Sequence, residues 1–178
     1  MTTPIIRTFI VYVEDLPGVL NRVTSLFRRR SFNIDSLAVG RTEQTGVSRM
    51  TIVAEADDDM ARRIEANLYK LVNVLRVEDP SRKATVTREL ALIKVRAGTG
   101  SRADVMRLCD VFRARVIDLG PDALICEITG ARDKIDGLVE VLEPFGILEI
   151  VRTGAVAMVR SAEATLRHDH EQPREHAA

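Results

Sequence analysis

The chain has 178 residues, and its 26 Lys+Arg balance 26 Asp+Glu, so no global charge points to nucleic acid or an acidic substrate. Hydrophobic residues make up 46%, which suits a globular chain of one domain or two small ones. Aromatics are only 4%, with no Trp, and that argues against a surface that stacks bases or sugars. Cys109 and Cys126 sit among apolar residues without metal-ligand spacing and read as reduced core thiols. No apolar run spans a membrane and the first residues lack a signal-peptide core, so the expected location is cytoplasmic.

In chain order, Ile5 to Val13 reads as a strand, rich in β-branched and aromatic residues. Phe9, Val11 and Val13 share one face, and Ile6, Ile10 and Tyr12 the other. Both faces are largely apolar, so one packs on helices and the other needs a cover from another domain or subunit. The strand runs into Glu14-Asp15-Leu16-Pro17-Gly18-Val19-Leu20. Pro17 suits a first helical turn, and Gly18 removes the side chain where the backbone turns. The free N–H groups of that turn are a ready site for a carboxylate; an ordinary strand-to-helix turn is the alternative. Val19, Leu20, Val23, Leu26 and Phe27 then form a helical stripe that ends in Arg28-Arg29-Arg30, a solvated end that suits the negative pole of the dipole.

Asn33 to Arg41 and Val47 to Glu55 read as two strands joined by the polar turn 42–46. Asp57-Asp58-Asp59 reads as a helix start, where carboxylates cap free amides, with a divalent-metal site as the sharper alternative. Met60, Ile64, Leu68 and Leu71 follow on one stripe, and Val72 to Val77 is a fourth strand. The order β-α-β-β-α-β is the split βαβ, or ferredoxin-like, arrangement.

After a linker at 79–83 the pattern restarts. Strands are expected at Leu90 to Ala97, Val116 to Leu119, Leu124 to Thr129 and Ile147 to Val151, with a last piece at Ala155 to Val159. Helical stripes are Val105, Leu108, Cys109, Phe112 and Ile135, Leu138, Val139, Leu142, the first with Ser101 as its N-cap. Leu26-Phe27-Arg28 before Ile34-Asp35 is echoed by Val111-Phe112-Arg113 before Ile117-Asp118, which suggests a duplication. The fold class is therefore α+β, with two ferredoxin-like βαββαβ domains, at 1–79 and 84–162, and a polar tail from 163 to 178 that reads as disordered. His168, His170 and His176 all fall in that tail, so no Ser/His/Asp or Cys/His set is assembled. Gly98-Thr99-Gly100 is too short for a dinucleotide fingerprint. No catalytic residue and no metal-ligand set stands out, which favours a regulatory or binding role.

Glu14-Asp15-Leu16-Pro17-Gly18-Val19-Leu20 resembles an ACT-domain loop. With the ordered stretches Arg29 to Gly40, Ser48 to Val53, Leu71 to Val77 and Arg88 to Val95, the chain resembles the small regulatory subunit of acetolactate synthase (acetohydroxyacid synthase) over about 4–160. The resemblance implies that the first domain is an ACT domain. It also implies a catalytic large subunit, which carries thiamine diphosphate, Mg²⁺ and usually FAD and condenses two pyruvates, or pyruvate with 2-oxobutyrate. No cofactor is expected in this chain. The small subunit would raise that activity and make it sensitive to valine or a related branched-chain amino acid. It would work as a homodimer or higher oligomer, with effector at the seam between ACT domains. Asp15, Leu16, Pro17, Gly18, Val19 and Leu20 would then line one side of the seam, and Asn33 and Ile34 of the other copy would face them. A free-standing ACT-type sensor with another target is the alternative, as is, more distantly, a ferredoxin-like RNA binder, which lacks exposed aromatics and a basic face.

Overall fold

The computed structural model describes residues 5–160. The polar tail with its three histidines lies outside the described residues. In the first half, β1 (Ile5–Glu14), α1 (Val19–Arg29), β2 (Ser36–Arg41), β3 (Val47–Ala56), α2 (Asp58–Leu68) and β4 (Val74–Glu78) build an antiparallel sheet of order β2-β3-β1-β4. In the second, β5 (Thr85–Arg96), α3 (Arg102–Val111), β6 (Arg115–Leu119), β7 (Ala123–Gly130), α4 (Arg132–Leu142) and β8 (Ile147–Arg152) repeat that order as β6-β7-β5-β8. β9 (Val156–Val159) pairs with the first residues of β5. Each half is a βαββαβ unit with its helices on one face of the sheet.

Alternation along the strands decides which residues meet the helices. Phe9, Val11 and Val13 of β1 pack with Met50, Ile52 and Ala54 of β3 against Val23, Leu26, Phe27, Ile64 and Leu68. Ala91, Ile93, Val95, Leu124, Cys126 and Ile128 do the same against Val105, Cys109, Ile135, Leu138 and Leu142. Cys109 and Cys126 are free and fully buried. Their mutual hydrogen bond, together with burial, pushes the Cys126 thiol far above its usual range. Asp57 caps α2, accepting from the Met60 amide at 2.7 Å, while Asp58 turns to Arg7 and Arg82.

Several expected boundaries shift for local reasons. β2 begins at Ser36, because the Asn33 side chain donates to Asp35 Oδ1 at 2.9 Å and holds the chain in a turn. Asn33 and Ile34 therefore precede the strand. Leu20 leaves the buried stripe and is 42% exposed. β5 starts at Thr85 and not Leu90, since its first residues find β9 as a partner. Ser101 occupies the N-cap position of α3, but its hydroxyl makes no capping bond.

From β1 to the end of α1, the first half matches β5 to the end of α3 at a spacing of 82 residues. Both α1 and α3 end in a Schellman motif with a non-glycine residue at φ 55°, Ser31 and Arg113. The Ser31 and Arg113 amides donate to the Arg28 and Asp110 carbonyls, and the Phe32 and Ala114 amides to those of Phe27 and Cys109. The sheet irregularity after Tyr12 recurs after Lys94. The true counterpart of Phe27 is thus Cys109, and the echo between Phe27 and Phe112 is out of structural register.

The second half covers part of the first sheet's helix-free face. Ile10, Thr51 and Val53 on that face are 5% exposed or less. Arg49, stacked 5.8 Å from the Tyr12 ring centroid, donates to the Ala157 carbonyl of β9, and buried Gly154 lies against Ser36. The connection 79–83 is also ordered: Pro80–Arg82 forms a 3-10 turn, and Asp79 pairs with Arg7 at 3.1 Å.

Hydrogen bonds from Arg7, and then from Arg82, hold the Asp58 carboxyl below its usual value of 3.8. A carboxyl depressed by folding contributes stability above that usual value and loses it as pH falls through the folded value. Asp58→Asn should therefore unfold at lower urea than the parent near neutral pH. The difference should shrink toward zero as pH falls through the folded value and the carboxyl is protonated in both folded and unfolded chains.

Candidate functional site

The turn between β1 and α1 owes its shape to Gly18, which sits at φ 84° as the N-cap of α1. That left-handed conformation is strained for any residue with a side chain. A glycine N-cap brings no capping oxygen, so the first-turn amides lack a side-chain partner. Among the described residues, the Leu20 and Asn21 amides make no hydrogen bond; the Val19 amide reaches the Leu16 carbonyl only at 3.4 Å. Pro17 lies before the helix, in the turn itself. Leu16 and Leu20 flank the open amides and are 56% and 42% exposed. The local surface thus joins anion-accepting N–H groups to bare aliphatic side chains.

The turn is held from both sides. Asp15 donates its amide to the Gly46 carbonyl at 2.8 Å and accepts from the Ser48 hydroxyl at 3.0 Å, while its second oxygen meets Arg41 Nε at 3.3 Å. Asp15 is therefore engaged by the β2–β3 hairpin. On the opposite side, Asn73 is nearly buried and bridges two elements. It donates to Glu14 and accepts from Arg22 of α1, both at 2.5 Å, and its carbonyl takes the Glu14 amide at 3.0 Å. Asn73 falls within Leu71 to Val77, but nothing in its spacing marks it as the brace of this loop.

The structure also sorts the apolar candidates. Val13 and Val19 are buried in the core and shape the loop from beneath, with Ile34 packed partly against the same core. Leu16, Pro17 and Leu20 offer exposed apolar surface at the turn.

The second half shows the same turn closed. Ala97, Gly98, Thr99, Gly100, Ser101 and Arg102 occupy the places of Asp15 to Leu20. Gly100 is not left-handed, and the Arg102 amide is satisfied by the Gly98 carbonyl at 3.0 Å. The Arg102 side chain, standing where Leu20 does, donates to the carbonyls of Ala97, Gly120 and Pro121 at 3.3, 3.0 and 2.5 Å. It fills the end of the sheet that is open in the first half.

Within one chain, the two groups of candidate residues do not meet. Gly18 precedes α1 and Asn33 follows it, and an 11-residue helix is about 16 Å long. No amino acid bridges that span. β2 is a sheet edge, paired only with β3, and Val39 on it is exposed. Joining β2 edges about a two-fold axis would lay two copies of α1 antiparallel. Gly18 of one copy would then approach Asn33 of the other.

A family model described as "AHAS small subunit-like ACT domain" matches residues 9–76, and one described as "Small subunit of acetolactate synthase" matches residues 88–161. The acetolactate synthase small subunit of Mycobacterium bovis is 51% identical over 158 residues, covering 89% of this chain and 94% of that protein. A probable acetolactate synthase small subunit from Archaeoglobus fulgidus is 46% identical, over 86% of this chain and 96% of its own length. The crystal structure of the small subunit from Thermotoga maritima matches with a TM-score of 0.81 at 40% identity, covering 88% of this chain and 98% of that one. Both halves are accounted for, and the chain belongs to the family of acetolactate synthase small subunits.

Proposed function

We propose that this chain is the regulatory subunit of an acetolactate synthase: it raises the activity of a catalytic large subunit and makes it sensitive to valine or a related branched-chain amino acid. The thiamine diphosphate, Mg²⁺ and FAD of the reaction belong to that partner in this reading. The observation that carries it is the contrast between the turns. One is left open by Gly18, beside exposed Leu16 and Leu20; its counterpart is filled by Arg102. An effector carboxylate would accept from the Leu20 and Asn21 amides, and its branched side chain would rest on Leu16 and Leu20. Asn33 of the second copy, able to donate and accept, would complete the site with Ile34 beside it. Asp15, tied to Ser48 and Arg41, would hold the loop and present what remains of its acceptor capacity to the ammonium group.

This arrangement assigns effector response to the first half and leaves the second to contribute to activation. It also requires an oligomer. Sedimentation at micromolar concentration should show no dominant monomer; a clean monomer contradicts the seam. A chain cut near Ser81 would bare Ile10, Thr51 and Val53, so separation of roles is better tested in the full chain.

Acetolactate formation by the large subunit, with and without this chain and across added valine, leucine and isoleucine, tests the reading. Activation without any amino-acid response would refute the sensor role, and no activation would point to another target. Gly18→Asp sets an anion beside the effector carboxylate, and Asn33→Ala removes the facing polar group. A hydrogen bond to a charged group is worth about 1.5–3 kcal/mol, so each variant should weaken inhibition about tenfold or more while activation largely survives. Gly18→Ala is a control for strain alone, because a Cβ there meets nothing within 4 Å. It should cost about 1 kcal/mol in urea unfolding, the left-handed penalty.

A further inference from the structure

A cavity of about 400 Å³ lies between the two halves and away from the Gly18 turn. Its volume is in the range of small-molecule sites. Ile6 and Val53, from the helix-free face of the first sheet, form an apolar wall. Glu89 of β5, Arg132 at the start of α4 and Arg152 at the end of β8 bring charge from the second half.

Glu89 is the unusual member. It is 9% exposed, and its carboxylate, which accepts from no donor among the described residues, still reaches the cavity. Its nearest cation, Arg152 Nη1, stands 4.0 Å away and is drawn off by Asp136, which accepts from Arg152 Nη2 at 2.6 Å. A carboxylate left this way is free to accept from a donor that enters the cavity. Arg132 also lines the cavity; its side chain is 60% exposed and only 3.7 Å from Asp136. It opens α4, whose N-cap Ala131 makes no side-chain capping bond. Positive charge and helix-start amides therefore adjoin an under-satisfied carboxylate, with aliphatic side chains beside both.

The structure assigns this cavity to a second aliphatic α-amino acid, bound within one chain and separate from the Gly18 seam. The ammonium group donates to Glu89, the carboxylate meets Arg132 and Arg152, and the side chain rests on Ile6 and Val53. Neighbouring opposite charges match a zwitterion, whereas a simple anion would face Glu89 and a simple cation the two arginines. Because both halves line the cavity, its occupant ties them together. Asp35, which lines it too, accepts from Asn33 at 2.9 Å and so links it to the seam.

Site-resolved NMR of the ¹⁵N-labelled full chain tests the assignment. Titration with L-valine, L-leucine and L-isoleucine should move the amides of Ser36, Gly154 and Ala155 with at least one of them. The same amides should stay still with 4-methylpentanoate, which lacks the ammonium group, and with isoamylamine, which lacks the carboxylate. Glu89→Gln and the surface change Arg132→Ala should each weaken that response about tenfold. Gly18→Asp should leave it intact. Shifts at Leu20 and Asn21 alone, or shifts at Gly154 that survive both Glu89→Gln and Arg132→Ala, would overturn it. A Gly154 response with silent Leu20 and Asn21 amides would support the cavity and count against the seam instead.

Discussion

A four-stranded sheet has two faces, and its own helices cover only one. The rest of this molecule follows from how the other face is covered. In the first half, β9 and the early part of β5 close over Ile10, Thr51 and Val53, with Arg49 bonded to the Ala157 carbonyl. β5 serves both halves: its later residues pair with β7 and β8 in the second sheet, while its first four pair with β9. The same closure leaves two features unfilled, the cavity at Glu89 and the bare edge of β2.

The repeated βαββαβ order gives the fold its internal control. Two turns share their flanking hydrogen bonds: the Asp15 and Ala97 amides reach the Gly46 and Asp122 carbonyls, each at 2.8 Å. They differ in what occupies the helix start. An arginine that satisfies three carbonyls makes one turn a structural plug. A left-handed glycine followed by valine and leucine leaves the other open. A few side chains, on one backbone plan, separate a closed turn from one that can accept an anion.

Much of this was legible in the amino-acid order. Two-residue alternation in β1 and β3 separated Phe9, Val11, Val13, Met50, Ile52 and Ala54 from the opposite face, and the cores contain them as expected. The Pro17-Gly18 turn and the Asp57-Asp58-Asp59 start of α2 were equally readable, because turn and cap chemistry is local. Long-range features were not. Nothing near Asn73 reveals that it bridges Glu14 and Arg22, since those partners are distant in sequence. Pattern alone also placed Leu20 in the buried stripe, although the helix start turns it outward. The echo at Phe112 misled for a related reason: hydrophobic spacing repeats within a helix, so similar residues aligned one turn out of register.

The central claim is that effector binds between copies, with the Gly18 turn of one chain facing Asn33 of the other. Mixed dimers test it most directly. Gly18→Asp and Asn33→Ala chains, each expected to bind effector about tenfold or more weakly as homodimers, are co-refolded, the heterodimer is isolated with two different affinity tags, and effector is held at a concentration that fills only unaltered sites. One seam then carries both changes and the other carries neither. Equilibrium dialysis with labelled effector, under conditions where the Glu89 cavity is disabled by Glu89→Gln in both chains, should recover one bound molecule per heterodimer. Recovery of none would place the two residues in a site within a single chain and contradict the account.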